Sequence, residues 1–422
     1  MNLKLIAGIC LTALALTAAA ADPTSTDYSF TQCEGSLTPY PTEVREVTCP
    51  DSLVPVFINH VGRHGSRYPA SGANCFYLRN MLLYADSIGS ITPLGRRLLA
   101  LDEEIIRRST GRWGALDSVG MAEQQAIASR MFMNYAEALG GDKVVKAISS
   151  YSPRSMMSMY SFTHQLDRLN NRLTFTTSTG RINSASMRPF DTDEDYLTFR
   201  REKVWEPAYK EYFDTHCPTR PAQALMGEGY RFPDEATARE LSLTAYYVLA
   251  GCRAMGLPDV MDQYFTPSEA NLLWSCFNLR QYLQRTATTV SRVPADIAAQ
   301  LLMDIVNTTD AYVNGSDHIT GAILRFGHAE TLMPLFSLLK LPGCYYLTNY
   351  FDTVALHWRD FDVVPMAANL QLVVYRSTTG RFYVRINLNE KPLKLRKGDD
   401  AIYFPWGEVR RYMLDCVPLY LQ

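Results

Sequence analysis

The sequence predicts an α/β protein, a mixed sheet flanked by helices, with a mainly helical segment inserted into the sheet domain. Three observations carry the prediction. Apolar runs at 54–61, 143–149 and 321–326 each lead into a polar turn, and helical periodicity follows the second and third. Between 185 and 309 the pattern is helical almost throughout. After Pro365 it returns to strands: 370–375 and 382–388 flank a Ser377-Thr378-Thr379-Gly380 turn and read as a hairpin.

In chain order the first element is a leader. Lys4 precedes an apolar stretch, 5–16, then Thr17 and the alanines Ala18 to Ala21, a secretory signal pattern with cleavage expected before Asp22. At about a dozen residues the apolar stretch is too short to span a bilayer. Export to the periplasm or exterior follows, with a bacterial source favoured by the short, alanine-rich leader. Removing 1–21 takes away Cys10 and leaves eight cysteines, which an exported chain is free to pair as disulfides. No C-x-x-C pair occurs, which argues against a zinc ribbon or a thioredoxin-type site.

The mature chain is long enough for two domains. We expect a discontinuous α/β domain, 22–184 with 310–422, and a helical cap, 185–309, with helices inside 76–140 as candidates to join the cap. A net charge of −2 supplies no basic field, so nucleic acid is excluded as a main partner. No further segment is apolar enough for a membrane span, and nothing implies an obligate protein partner.

The first polar turn is Gly62-Arg63-His64-Gly65-Ser66-Arg67-Tyr68-Pro69, where Gly62 and Gly65 would let the backbone bend and a substrate approach. The second is Tyr151-Ser152-Pro153-Arg154-Ser155, followed by a Met-rich helix to Leu166. The third is Gly327-His328-Ala329-Glu330, followed by an apolar helix, 331–340, with Pro334 in its first turn. Elsewhere 122–139 reads as one helix capped by Gly140-Gly141. Thr266-Pro267-Ser268-Glu269 opens another as a capping box, and 233–250 and 294–306 also read as helices. In open α/β sheets ligands sit beyond the carboxyl ends of the strands, so the three turns are expected to converge on one pocket.

The residue types in those turns suit phosphoryl transfer. An uncharged imidazole approaches an anionic phosphate more readily than a carboxylate does, arginines hold phosphate oxygens bidentately, and a poor alkoxide leaving group needs an acid. Arg63, His64, Arg67, Arg154 and His328 supply the first two functions, and Glu330 the third. Each has a plainer reading: Arg154 as a solvated helix-start arginine, Glu330 as a first-turn carboxylate favoured by the helix dipole. His60 is read as a core histidine, because Gly62 and the strand-like lead-in exclude the helix that an i, i+4 metal pair requires. His164, His216, His318 and His357 are left as structural, and Met156 to Met159 as core filling.

The run Arg63-His64-Gly65-Ser66-Arg67-Tyr68-Pro69 matches the R-H-G-x-R-x-P motif of the histidine acid phosphatases (branch 2). His328-Ala329-Glu330, in place of their common His-Asp, resembles the multiple inositol polyphosphate phosphatases, the H-A-E type of phytase. The resemblance implies a phosphoglycerate-mutase-like fold with an inserted helical cap. It implies His64 as the transient phosphohistidine, Arg63, Arg67, Arg154 and His328 as phosphate ligands, and Glu330 as proton donor and then activator of water. Arg188, in Met187-Arg188-Pro189, stands where the family has an arginine near the substrate. No metal and no organic cofactor is implied. The expected substrate is inositol hexakisphosphate and its lower esters; the alternatives are a broad acid phosphatase on sugar phosphates or other monoesters, and a non-catalytic binder of phosphorylated ligands.

Such a mechanism needs His64 unprotonated and Glu330 protonated. Ordinary values near 6.5 and 4.3 make that pairing scarce, so the pocket is expected to raise the carboxylate or lower the imidazole.

Overall fold

The computed structural model describes residues 28–44, 48–395 and 400–419; the expected leader, 1–21, lies outside the described residues. The strands are β1 (Leu53–Arg63), β2 (Val144–Ser149), β3 (Thr174–Ser178), β4 (Thr320–Gly327), β5 (Asn369–Ser377), β6 (Phe382–Leu388), β7 (Lys391–Pro392) and β8 (Phe404–Pro405). They form one mixed sheet in the order β3-β2-β4-β1-β5-β6-β7, with β8 on β6. The first four are parallel and the rest antiparallel to their neighbours. β4 is buried at every residue, as a central strand covered on both faces must be.

Helices α1 (Ala73–Ser87), α2 (Pro93–Ser109), α3 (Ser118–Asn134) and α4 (Ala136–Leu139) link β1 to β2, and α5 (Pro153–Leu169) links β2 to β3. Residues 181–313 contain no strand. They hold α6 (Ser184–Met187), α7 (Glu194–Glu202), α8 (Glu206–His216), α9 (Arg220–Met226), α10 (Glu235–Ala250), α11 (Pro267–Arg285), α12 (Val293–Asp296) and α13 (Ala299–Val313). α14 (Ala329–Leu338) follows β4, α15 (Val354–His357) and α16 (Asp360–Val363) precede β5, and α17 (Trp406–Cys416) follows β8. The capping box at Thr266 and Glu269 is formed. No described helix is long and apolar enough to cross a membrane.

Several elements depart from expectation. The helix read at 122–139 begins earlier and breaks at Tyr135 (φ −135°, ψ 42°), whose hydroxyl accepts hydrogen bonds from Arg385 (3.1 Å) and Asn387 (2.9 Å) in β6. The helix at 294–306 is two, α12 and α13. α14 starts at Ala329, which moves Pro334 into its second turn, where the ring removes the donor to the Glu330 carbonyl. β3 was not foreseen. Met159 is core, but Met157 is 44% exposed. The eight cysteines of the described residues are free in this structure, seven of them buried.

One apolar core lies between the helices and one face of the sheet. A second joins Ile127, Met131, Met159 and Phe162 of α3 and α5 to Ile58, Leu324 and Phe326 on the other face. The parallel registers set Arg63 opposite Gly327 and Ser149 opposite Phe326. The carboxyl ends of β1, β4 and β2 are therefore level, and the three polar turns leave the sheet side by side.

Candidate active site

The first turn is held by backbone and by two acidic or amide side chains of α3. His64 N donates to Gly327 O (3.1 Å), and Ala367 N donates to His64 O (3.1 Å). Glu123 accepts from Ser66 N (2.7 Å), Ser66 Oγ (2.7 Å) and Tyr40 N (2.8 Å), while Gln124 donates to Arg63 O (3.0 Å). Gly65 is needed for packing more than for substrate approach: a Cβ there would stand 2.4 Å from Gly120 O of α3.

His64 is 3% exposed, and its Nδ1 lies 2.9 Å from Gly65 O. A carbonyl only accepts, so Nδ1 carries the hydrogen and Nε2 the lone pair. Burial, and then Arg154, Arg63, Arg67 and His328, hold the imidazole well below its ordinary 6.5. Of the two adjustments expected from the sequence, the structure contains this one.

Arg63 is buried; its Nη1 donates to Ser36 O and Val364 O, both at 2.6 Å, and its Nε has no partner among the described residues. Burial, then Arg67, lowers it to about 9. Arg67 donates to Tyr68 O (2.9 Å) and also leaves Nε without a partner. Arg154 stands in the first turn of α5, its Nη2 3.3 Å from His328 Nδ1, and burial followed by Arg67 lowers it to about 10. Arg188 Nη1 lies 2.7 Å from His328 Nε2, and its Nε donates to Asp191 (2.6 Å). The Arg188 guanidinium stacks on Tyr151 and Phe190.

His328 precedes α14 and is fixed by Thr331 Oγ1, which accepts from its amide (3.0 Å). Its ring stands 5.5 Å from that of His64, and burial and Arg154 hold it well below 6.5. Glu330, in the first turn of α14, accepts from Arg285 Nη2 at 2.9 Å. Burial pushes the carboxyl up, but Arg285, His328 and Arg63 outweigh it and hold the group well below the usual carboxylate range. Of the two alternatives, raising the carboxylate is thus not the one this arrangement adopts.

All seven residues singled out in the sequence, Arg63, His64, Arg67, Arg154, Arg188, His328 and Glu330, meet at the carboxyl edge of the parallel strands. His60 stands apart, in the core between Phe162 and Phe326 with neither ring nitrogen partnered. Arg285, Glu123, Gln124 and Ser150, which lies 3.0 Å from His328 Nε2, were missed. Arg285 ends the helix that the capping box begins, and a basic last turn reads simply as a favourable dipole contact. No group of three or more His, Cys, Asp or Glu side chains among the described residues is placed to hold a metal ion.

No protein-family model matches the chain. The fold, with the Arg-His-Gly turn facing His328 and Glu330, is that of the histidine acid phosphatases. The chain resembles the multiple inositol polyphosphate phosphatases. It is 26% identical over 236 residues to multiple inositol polyphosphate phosphatase 1 of Homo sapiens, covering 53% of this chain and 48% of that protein. The match thus spans about half the length of the human relative. It is 22% identical over 399 residues to the protein of the same name from Gallus gallus, covering 87% and 83%. Its fold is similar to that of the Bifidobacterium longum multiple inositol polyphosphate phosphatase solved with inositol hexasulfate, with a TM-score of 0.74 at 18% identity over 92% of this chain and 99% of that one.

Proposed function

We propose that the protein is a phosphomonoesterase that hydrolyses inositol polyphosphates, inositol hexakisphosphate and its lower esters, through a phosphohistidine on His64. The observation that carries the reading is the His64 tautomer: Nδ1–H is committed to Gly65 O, which leaves Nε2 as a neutral nucleophile among Arg63, Arg67 and Arg154. Nε2 forms the N–P bond as the ester P–O bond breaks, while the guanidinium groups hold the phosphoryl oxygens. Glu330, once protonated, gives its proton to the leaving alkoxide. The resulting carboxylate then takes a proton from water, whose oxygen attacks phosphorus and displaces His64 as inorganic phosphate forms.

Protonation of Glu330 is promoted by the substrate itself, whose phosphate charge offsets the arginines that hold the carboxylate ionised. The relatives named for inositol polyphosphates, and the solved relative holding inositol hexasulfate, support that substrate class. Export to the periplasm or exterior belongs to the same reading, supported by the leader pattern.

The test is phosphate release from inositol hexakisphosphate in the presence of EDTA, by wild type and by His64→Ala. Release by wild type that vanishes in the variant supports the histidine mechanism. Release confined to simpler esters moves the assignment to a general phosphatase, and silence of wild type on all esters overturns it.

A further inference from the structure

The residue that touches the Glu330 carboxylate has no part in the mechanism above. Arg285 is the last residue of α11, and α11 is tied to α14 just beyond it: Ala287 N donates to Ser337 Oγ at 2.9 Å. The two helix ends are thus fixed relative to one another. From that anchorage Arg285 Nη2 reaches Glu330 Oε1 (2.9 Å), and Nη1 donates to Gln281 one turn back on the same helix. The side chain is 19% exposed, and its Nε is buried without a partner among the described residues. A largely buried guanidinium with an orphaned donor carries a desolvation cost, which its bonds to Glu330 and Gln281 offset in part.

We infer that Arg285 is a positioning residue: through its ion pair it fixes the Glu330 carboxylate at the edge of the arginine cluster and governs when that carboxylate carries its proton. The inference rests on the phosphatase reading and deepens it. Glu330 is also faced by His328 at the start of its own helix, by Arg63 of β1, by Arg154 of α5 and by Tyr196 of α7. Arg63, Arg154 and His328 belong to the phosphate cluster, so a bound phosphoester offsets them. Arg285 approaches from α11 and keeps its hold, which makes it the cation that sets how acidic Glu330 remains during turnover.

The consequence has a definite sign. With one group needed deprotonated and the other protonated, the optimum of kcat/KM lies midway between the His64 and Glu330 values, whichever is higher. Removing Arg285 raises Glu330 and therefore moves the optimum to higher pH. An opposite charge at hydrogen-bond range lowers a carboxyl by about one to three pH units, so the optimum moves by about half to one and a half.

The experiment measures kcat/KM against pH for wild type, Arg285→Gln and Arg285→Lys on two esters. Inositol hexakisphosphate has an alkoxide leaving group that needs a proton; p-nitrophenyl phosphate has one that does not. The expected result is an optimum on inositol hexakisphosphate raised by that amount in Arg285→Gln and retained in Arg285→Lys, with no such movement on p-nitrophenyl phosphate. Arg285→Met, which keeps the packing of the stem, is measured alongside and carries the test if the glutamine variant does not fold. An unmoved optimum on inositol hexakisphosphate with an active wild type overturns the inference alone, as does the same movement on both esters, the mark of general damage. Wild type inactive on both esters removes the phosphatase reading and this inference with it.

Discussion

Replacing His60 with leucine should make the protein more tolerant of acid, by an amount the structure allows one to work out. The ring is 1% exposed, stands 5.3 Å from Phe162 and 5.5 Å from Phe326, and has no partner for either nitrogen. Burial, helped by the charge of Arg325, lowers it from 6.5 to about 3. A histidine kept neutral by the fold takes up a proton more readily when unfolded, so its contribution to stability is present above pH 6.5 and is lost as the pH falls from there toward 3. Between pH 7 and pH 5 the unfolded state gains about 2 kcal/mol from this one group. Glu34, Asp102 and Asp360, raised by burial to about 8, 7 and 6, act in the opposite direction, and both proteins share them. The assay is urea unfolding of wild type and His60→Leu at the two pH values. The variant should lose about 2 kcal/mol less than wild type on acidification. Equal losses would refute the assignment of His60 as a buried neutral base.

Glu330→Gln cannot protonate a leaving group, so kcat/KM on inositol hexakisphosphate should fall by about a hundred- to ten-thousandfold, with a much smaller fall on p-nitrophenyl phosphate; equal losses on the two esters would remove Glu330 as the acid. Glu123→Ala leaves three buried donors, Ser66 N, Ser66 Oγ and Tyr40 N, without their acceptor. It should cost about 2 to 4 kcal/mol in urea unfolding and at least about tenfold in kcat/KM, since a shift of the turn misaligns the reacting groups; a stable, fully active variant would show that the backbone alone holds the first turn.

What could be read from the sequence was whatever is local. β1, β2 and β4 announce themselves as apolar runs, and their polar endings carry six of the seven residues that meet, Arg188 coming instead from the segment after α6. β3 escaped because Thr174, Thr176 and Thr177 are exposed, so this edge strand lacks an apolar run. The break at Tyr135 escaped because its cause lies in Arg385 and Asn387, some 250 residues away. Glu123 and Arg285 escaped for the same reason. Each sits in a good helix, and its importance comes from what another element brings to it. Which of the two expected adjustments the pocket makes was not legible either: burial of Glu330 was foreseeable, but its nearest cation, Arg285, was not.

Arg154 and Arg188 crowd the two nitrogens of one neutral imidazole, and that crowding bears on how the catalytic cycle ends. A neutral ring has a single lone pair, so in either tautomer of His328 one of the two guanidinium contacts lacks an acceptor. A tetrahedral oxyanion makes good that deficit, and orthophosphate does so as readily as the ester it came from. Capture and retention are then two faces of one arrangement. Orthophosphate is expected to compete with substrate, and as it accumulates the pace of the cycle passes from the cleavage of the P–O bond to the departure of the product.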